Sequence, residues 1–340
     1  MALLSPAKRM LSVADFGAVG DGVADDTAAL QAALDRVSAN GGTFIDIPPG
    51  TYKVTATLNI AFAQDSAAHV GILSHGAILQ SAITDGSPLL QVISNAVVRF
   101  FMIEGLQIRG NGQEGHGLVL RADNQAVFLY NICLRDVFIE GCGGDGCQIL
   151  GNIFESQIDN SFFRQNRNGL SMGNSTGGGI LSAIHLYGCV FGQNREVGCL
   201  MVNDATDAGF HGCYFLENGS WGANCPNGFT LMSNCGFENN WMSAGSFAAG
   251  NAGVAFQNFG NMIACSATSR HYQTHLVKGY VTSIFAMSGC FRAGVETAGT
   301  MHLSDLSGTP GGRASIVSCN GERDYRDGFQ SRTTEMACIP

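Results

Sequence analysis

The chain has 340 residues, of which 46 are glycine and 13% are charged, and its formal net charge is −9. Three lysines and an acidic balance argue against a nucleic-acid partner, whose phosphates require a basic face, and weigh mildly against a strongly anionic polymer unless arginines gather locally. No apolar run approaches the ~20 residues that a membrane span requires, so no membrane partner is expected.

The opening MALLSPAKRMLSVADFG is interrupted by Pro6, Lys8 and Arg9 and lacks the apolar stretch of a secretory signal. The cellular location therefore stays open, with virion association or another export route as the expectation for a protein acting outside the cell. Asp25, Asp26 and Thr27 offer N-cap oxygens, and Leu30, Ala33, Leu34 and Val37 follow at helical spacing. Asn40, Gly41 and Gly42 end that predicted helix. Thr43 to Ile47 reads as a strand, Pro48, Pro49 and Gly50 as a turn, and Thr51 to Val54 as a second strand. A short amphipathic helix over the end of a stacked fold would cover apolar surface and free strand edges.

The segments DFGAVGDGVADDTAALQAAL (Asp15 to Leu34) and GGTFIDIPPGTYKV (Gly41 to Val54) resemble the opening of the pectate-lyase-superfamily right-handed β-helix proteins. Those proteins include polygalacturonase-like hydrolases, polysaccharide lyases, uronan epimerases and phage tailspike depolymerases. The resemblance implies an all-β, single-stranded right-handed parallel β-helix with a short N-terminal capping helix. The resemblance leaves the reaction open, because members with different chemistry share this opening. Along the chain a cap and first coil (1–54) precede a β-helix body (55–305), and the turn-rich Gly308 to Gly312 sets off a C-terminal tail or cap (306–340).

The body carries its own signature. Phe138, Phe163, Phe191, Phe215 and Phe237 recur at spacings of 25, 28, 24 and 22 residues. Each is followed three residues later by Gly141, Asn166, Asn194, Asn218 or Asn240 and preceded by three by Arg135, Asn160, Gly188, Gly212 or Asn234. A repeat of this length cannot bury its apolar face alone and must stack on its neighbours. Each coil reads as three strands. One ends in the column Cys133, Ile158, Leu186, Phe210 and Met232, a second carries the Phe column, and a third begins near Gly146, Gly169, Gly198 and Gly222. Of twelve cysteines, Cys189, Cys213 and Cys235 share one column and Cys147 and Cys199 another. That placement suits small buried hydrophobes rather than disulfides; no CxxC pair supports zinc. The resulting rod, roughly ten rungs at ~4.8 Å, would be about 50 Å long, with the pattern fading after Cys290.

In the resembled families the site usually lies on the strand that here begins at the Gly column, together with its flanking loops. Just before that strand come His116, Asp145, Arg167 and Glu196 on successive coils, and after it Arg121, Asp123, Asp204 and Asp207. Gln148, Ser171 and Asn224 point outward on the strand. Asp145 with Glu196, or Asp204 with Asp207, would supply the two carboxylates of glycoside hydrolysis. Arg167 and Arg195 would hold a substrate carboxylate, as β-elimination also requires, and Trp221 and Trp241 would either stack on sugar rings or cover coil surface. His116 lies in a Gly-His-Gly element similar to that of polygalacturonases, whose other elements are absent from these coils. Asp204 and Asp207 are candidates for Ca²⁺ but fall short of its roughly six to eight oxygen ligands. Tyr187, His211 and Asp159 form a further polar column. The expected partner is a polysaccharide or oligosaccharide, the expected activity glycosidic-bond cleavage, with hydrolysis favoured over lyase chemistry because lysines are few. Asp145→Ala and Glu196→Ala should then abolish turnover at nearly unchanged melting temperature. The alternatives are a non-catalytic glycan-binding or tailspike-like rod, including a homotrimeric shaft, and a uronan C5-epimerase.

Overall fold

A computed structural model describes residues 10–39, 42–122, 126–173, 179–202, 205, 207–225, 229–238, 240 and 263–265, and beyond these the backbone of strands between 252 and 336. Short strands recur in every coil and stack into three sheets of 15, 11 and 11 strands. Every named pairing between successive coils is parallel, as in Cys133–Arg135 on Ile153–Asp159, Phe162–Arg164 on Val190–Gly192, and Cys147–Gly151 on Leu170–Met172. The chain thus winds as an all-β parallel solenoid, with strands rather than separate domains as its unit.

The N-terminal end is sealed by the helix Thr27–Ser38, which buries Leu30, Ala33, Leu34 and Val37. It also closes the exposed edge of the third sheet. Gln31 donates from Nε2 to the Asn59 carbonyl and accepts from the Asn59 amide, both at 2.8 Å, so one side chain replaces a missing neighbouring strand. Asp25 caps the helix: its carboxylate accepts from the amide and hydroxyl of Thr27 and from Thr55 Oγ1 at 2.7 Å. Asp26 makes no such cap; buried, it accepts instead from the amides of Val19 and Gly20 at 2.6 and 3.1 Å. The acidic pair therefore tethers the chain before the helix as well as starting the helix.

The core is a set of columns. Phe163, Phe191, Phe215 and Phe237 stack with centroid spacings of 5.2, 5.0 and 4.8 Å and are all buried. Beside them Asn166, Asn194, Asn218 and Asn240 are buried in a ladder. Asn218, for example, donates from Nδ2 to the Phe191 carbonyl at 3.0 Å and to Asn240 Oδ1 at 2.7 Å, while its own Oδ1 accepts from Asn194. A turn that would otherwise strand its backbone groups inside the rod is satisfied by amides from coil to coil. The cysteine column is real and reduced: Cys189, Cys213, Cys235 and Cys265 are free thiols, each directed at a carbonyl of the preceding coil at 3.2 to 3.5 Å.

The repeat differs from the sequence alignment in one coil. Phe138 pairs with Phe162 and Ile139 with Phe163, so Ile139 rather than Phe138 enters the core and Phe138 faces outward. Likewise Leu134, not Cys133, registers with Ile158, and Cys142, not Gly141, stands beside Asn166. Side chains alternate faces along a strand, so a one-residue slip exchanges the two faces; the adjacent apolar pair Phe138–Ile139 conceals it. The corner residues follow: Asp136, Asn160, Gly188, Gly212 and Asn234 all have positive φ. The fading expected after Cys290 does not reach the backbone, where strands Phe291–Val295, His302–Asp305, Arg313–Val317, Glu322–Asp324 and Thr333–Met336 continue the ladders.

Candidate active-site edge before the third sheet

The loops that lead into the third sheet stack on successive coils, and they are held close by glycine. A Cβ on Gly146 would lie 2.6 Å from Asn166 Nδ2 and 2.7 Å from the Gly169 carbonyl oxygen, so the column admits no side chain. At this edge stands Asp145, 1% exposed. Its Oδ1 accepts from Arg167 Nε at 3.0 Å and Asn168 Nδ2 at 2.8 Å, and its Oδ2 from Ser171 Oγ at 2.7 Å. Arg167 Nη2 adds a contact to Oδ1 at 2.9 Å. A carboxylate enclosed by a guanidinium, an amide and a hydroxyl has its lone pairs engaged.

His116 completes the cluster. Its Nδ1 accepts the backbone amide of Asp145 at 3.0 Å and lies 3.6 Å from Asp145 Oδ2. Burial lowers the imidazole pKa, with Asp145 opposing and Arg167 adding to that effect. With Nδ1 accepting from an amide, the ring carries its proton on Nε2. One coil back from Asp145, buried Glu114 accepts from the amides of Asn111 and Gly143 at 2.8 and 2.9 Å and shapes the same loops.

Arg195 is exposed and reaches back to donate to the carbonyls of Cys142, at 3.1 Å, and Gly143. Glu196 is exposed beside it, and its amide donates to the Arg167 carbonyl at 2.8 Å. Trp221 is half-buried on the next coil, where its carbonyl accepts from Gly198 at 2.9 Å. The edge therefore gathers His116, Asp145, Arg167, Arg195, Glu196 and Trp221 on consecutive coils.

Other candidates fall elsewhere. Gln148 and Asn224 are half-buried on the third sheet, in the register Gln148–Ser171–Leu200–Asn224, and Ser171 is covered through its bond to Asp145. Arg121 is exposed on the strand Leu118–Ala122, next to Leu150. Asp207 is exposed but opens a strand of the first sheet, which separates it from the edge cluster; Asp123, Asp204 and Trp241 lie outside the described residues. Among the described residues no three His, Cys, Asp or Glu side chains converge as metal ligands. The Asp159–Tyr187–His211 column is in register on the first sheet, with the Tyr187 and His211 rings stacked at 4.8 Å and His211 Nδ1 bonded to Ser233 Oγ at 2.8 Å. Asn168 escaped the sequence reading. It is the hinge of the cluster, bonding Asp145 through Nδ2 and the Val197 amide through Oδ1, and its one signal was its place beside Arg167 in the loop before the Gly column.

The family described as Rhamnogalacturonase A/epimerase, pectate lyase-like, matches residues 10–65. Mannuronan C5-epimerase AlgE6 of Azotobacter vinelandii is 56% identical over 45 residues, 13% of this chain and 5% of that protein. The iota-carrageenase of Alteromonas macleodii is 38% identical over 104 residues, 29% of this chain and 19% of the enzyme. The chain thus spans a small fraction of the length of these curated relatives. Among solved structures, the ORF18 protein of Geobacillus virus E2 superposes with a TM-score of 0.70 at 19% identity, covering 92% of this chain and 60% of that one.

Proposed function

We propose that this chain, a pectate-lyase-like right-handed β-helix protein by its fold and its opening segment, acts on a polysaccharide laid across the edge before the third sheet. The observation that carries this reading is the cluster around Asp145, which fixes Arg167 and His116 in place beside exposed Glu196. The epimerase and the carrageenase that match part of this chain are named for polysaccharides, which supports the substrate class.

In the proposed mechanism Arg167 and the neutral His116 donate hydrogen bonds to the sugar chain. Glu196 protonates the glycosidic oxygen as general acid as the bond to the anomeric carbon breaks, and a water molecule adds to that carbon and returns its proton to the Glu196 carboxylate. Asp145 does not itself reach the polymer; it is a positioning residue that orients both donors. Hydrolysis is favoured over elimination, because the imidazole presents an N–H rather than a free lone pair, and no lysine stands at this edge among the described residues. One observation favours a second reading. The enclosed Asp145 leaves Glu196 without a second exposed carboxylate among the described residues of the edge, as suits a glycan-binding rod that cleaves nothing.

The protein is incubated with neutral, uronate-containing and sulfated polysaccharides, following new reducing ends together with ultraviolet absorbance. New ends without absorbance, lost in Glu196→Gln, are expected. New ends with absorbance would replace hydrolysis by elimination. Binding without new ends would leave the second reading, and neither binding nor cleavage would end both.

A further inference from the structure

The corner where the first sheet turns into the second carries an open groove of about 590 Å³, distinct from the edge described above. Its floor is the outer face of the second sheet. Gln107, Phe138 and Phe162 lie there in register on three successive coils, with Arg109 and Glu140 as the next outward pair. The Phe138 and Phe162 rings are 5.8 Å apart at 35°, and Phe162 is 36% exposed.

The corner residues set the shape. On two coils the corner is Gly76 or Gly105, at φ 91° and 70°, and the groove is open there. On the next two it is Asp136 and Asn160, joined by a 2.6 Å bond from Asn160 Nδ2 to Asp136 Oδ1, which forms a wall. Across the floor Arg109 Nε donates to Glu140 Oε1 at 3.1 Å, and both side chains remain partly exposed. His75 closes one end.

A partly exposed aromatic pair rimmed by polar groups marks a contact site; here Phe162 is exposed and Phe138 half-buried. The lining fixes the ligand chemistry. It mixes a guanidinium, an imidazole, two carboxylates and two amides, so no charge sign dominates, and both donors and acceptors line the groove. A saccharide ring has an apolar C–H face to lay on an aromatic ring and a rim of hydroxyls that both donate and accept. Phe138 and Phe162 stand on neighbouring rungs with their centroids 5.8 Å apart, so two contacts for sugar rings follow one another along the rod. A second copy of the chain is a poorer fit. Two rings among charged side chains fall short of the ~800 Å² per partner of a stable interface.

We propose that this corner groove holds a short stretch of an uncharged hexose chain, with sugar rings on Phe138 and Phe162 and hydroxyls bonded to Arg109, Glu140 and Asn160. The inference shares with the proposed function only the ligand class; it does not depend on the chemistry at the third-sheet edge.

The whole chain is titrated calorimetrically with cellohexaose, maltohexaose and laminarihexaose. Saturable binding of at least one is expected, weakened about tenfold in Phe162→Ala and in Arg109→Ala, kept in Phe162→Tyr, and unchanged in Arg36→Ala on the capping helix. Circular-dichroism melts confirm that each variant is folded. The proposal is overturned if none of the three binds, if binding survives both groove substitutions, or if Arg36→Ala weakens it as much as they do. It is also overturned if light scattering shows that Phe162→Ala converts a multimer to a monomer, which would make the groove a seam between copies. Loss of cleavage in Glu196→Gln with groove binding intact separates the two sites, and absence of any cleavage with groove binding intact removes only the proposed function.

Discussion

Arg195 reaches past an entire coil to the carbonyl of Cys142, 53 residues earlier in the chain, at 3.1 Å. Its own amide donates to Asn166 on the intervening coil at 2.8 Å, so one residue ties three successive loops of the edge. Arg195→Ala should cost about 1 kcal/mol, the worth of a partly exposed charge-assisted bond, and should speed hydrogen exchange at the amides of Cys142 to Asp145. Unchanged exchange there would show that the arginine is free in solution and the loops stand without it.

Asp145 supports the edge from within. Asp145→Ala leaves Arg167, Asn168 and Ser171 without their shared acceptor, and a loss of about 2–3 kcal/mol is expected after allowance for the exposure of Arg167. The near-constant melting temperature expected from sequence does not suit a carboxylate that is 1% exposed. Glu196→Ala, on the surface, should leave stability within about 0.5 kcal/mol. Equal melting curves for the two variants would contradict the described burial.

His116 gives a pH signature. Its folded-state pKa is lowered, chiefly by burial, so the unfolded chain takes up the proton more readily. The stability it contributes is complete above the unfolded value of about 6.5 and is lost as pH falls below it toward the folded value. Thermal melts between pH 7.5 and 5 should therefore show a decline that is shallower in His116→Gln. Parallel profiles would place the titration on another group.

The asparagine ladder predicts an asymmetry between two substitutions. Asn218→Ala removes a side chain whose amide donates to Phe191 and Asn240 and whose oxygen serves Asn194, a loss of about 2–4 kcal/mol. Asn218→Asp keeps the shape but replaces the two donors with a buried charge, and should be worse at pH 7 and ease as the pH falls and the carboxyl protonates. Denaturant midpoints at pH 7 and pH 5 decide it; an Asp variant no worse than Ala would mean that water reaches the ladder.

The thiols should be quiet. Burial pushes the Cys225 thiol up to about 12 and raises Cys147 and Cys199 as well, and thiols so shifted form little thiolate. Of the nine described free cysteines only Cys133 is half-buried. Peptide mapping after brief iodoacetamide treatment of the native protein should find Cys133 labelled first among them. Rapid labelling of Cys189, Cys213 or Cys235 would show that the rod opens readily.

Much of this architecture was legible in the residues, because a solenoid writes its contacts as columns. Asn166, Asn194 and Asn218, the buried Phe column from Phe163 to Phe237, and the cysteines at 189, 213 and 235 all stand where their spacing put them. The slip at Phe138 was not legible, since two adjacent apolar residues satisfy either register and only the neighbouring coil decides. The edge was legible as a list and not as a geometry. His116, Asp145 and Arg167 share a loop position, but sequence spacing does not say that Asp145 turns inward, because that depends on Asn168 and Ser171 meeting it from the next coil. The corner groove was invisible for the same reason: Phe138 was assigned to the inner face, and Phe162 had no place in the repeat.

The coil-to-coil ladders have one further consequence. Each turn bonds to the turn before and the turn after, as Asn194 does to Phe163 and Asn218, and nothing in such a stack records how many turns there are. Length is therefore a free variable. An ancestor could gain or lose a whole winding by duplication or deletion without disturbing either end, and a surface that recognises a long repetitive partner could be extended in the same increments.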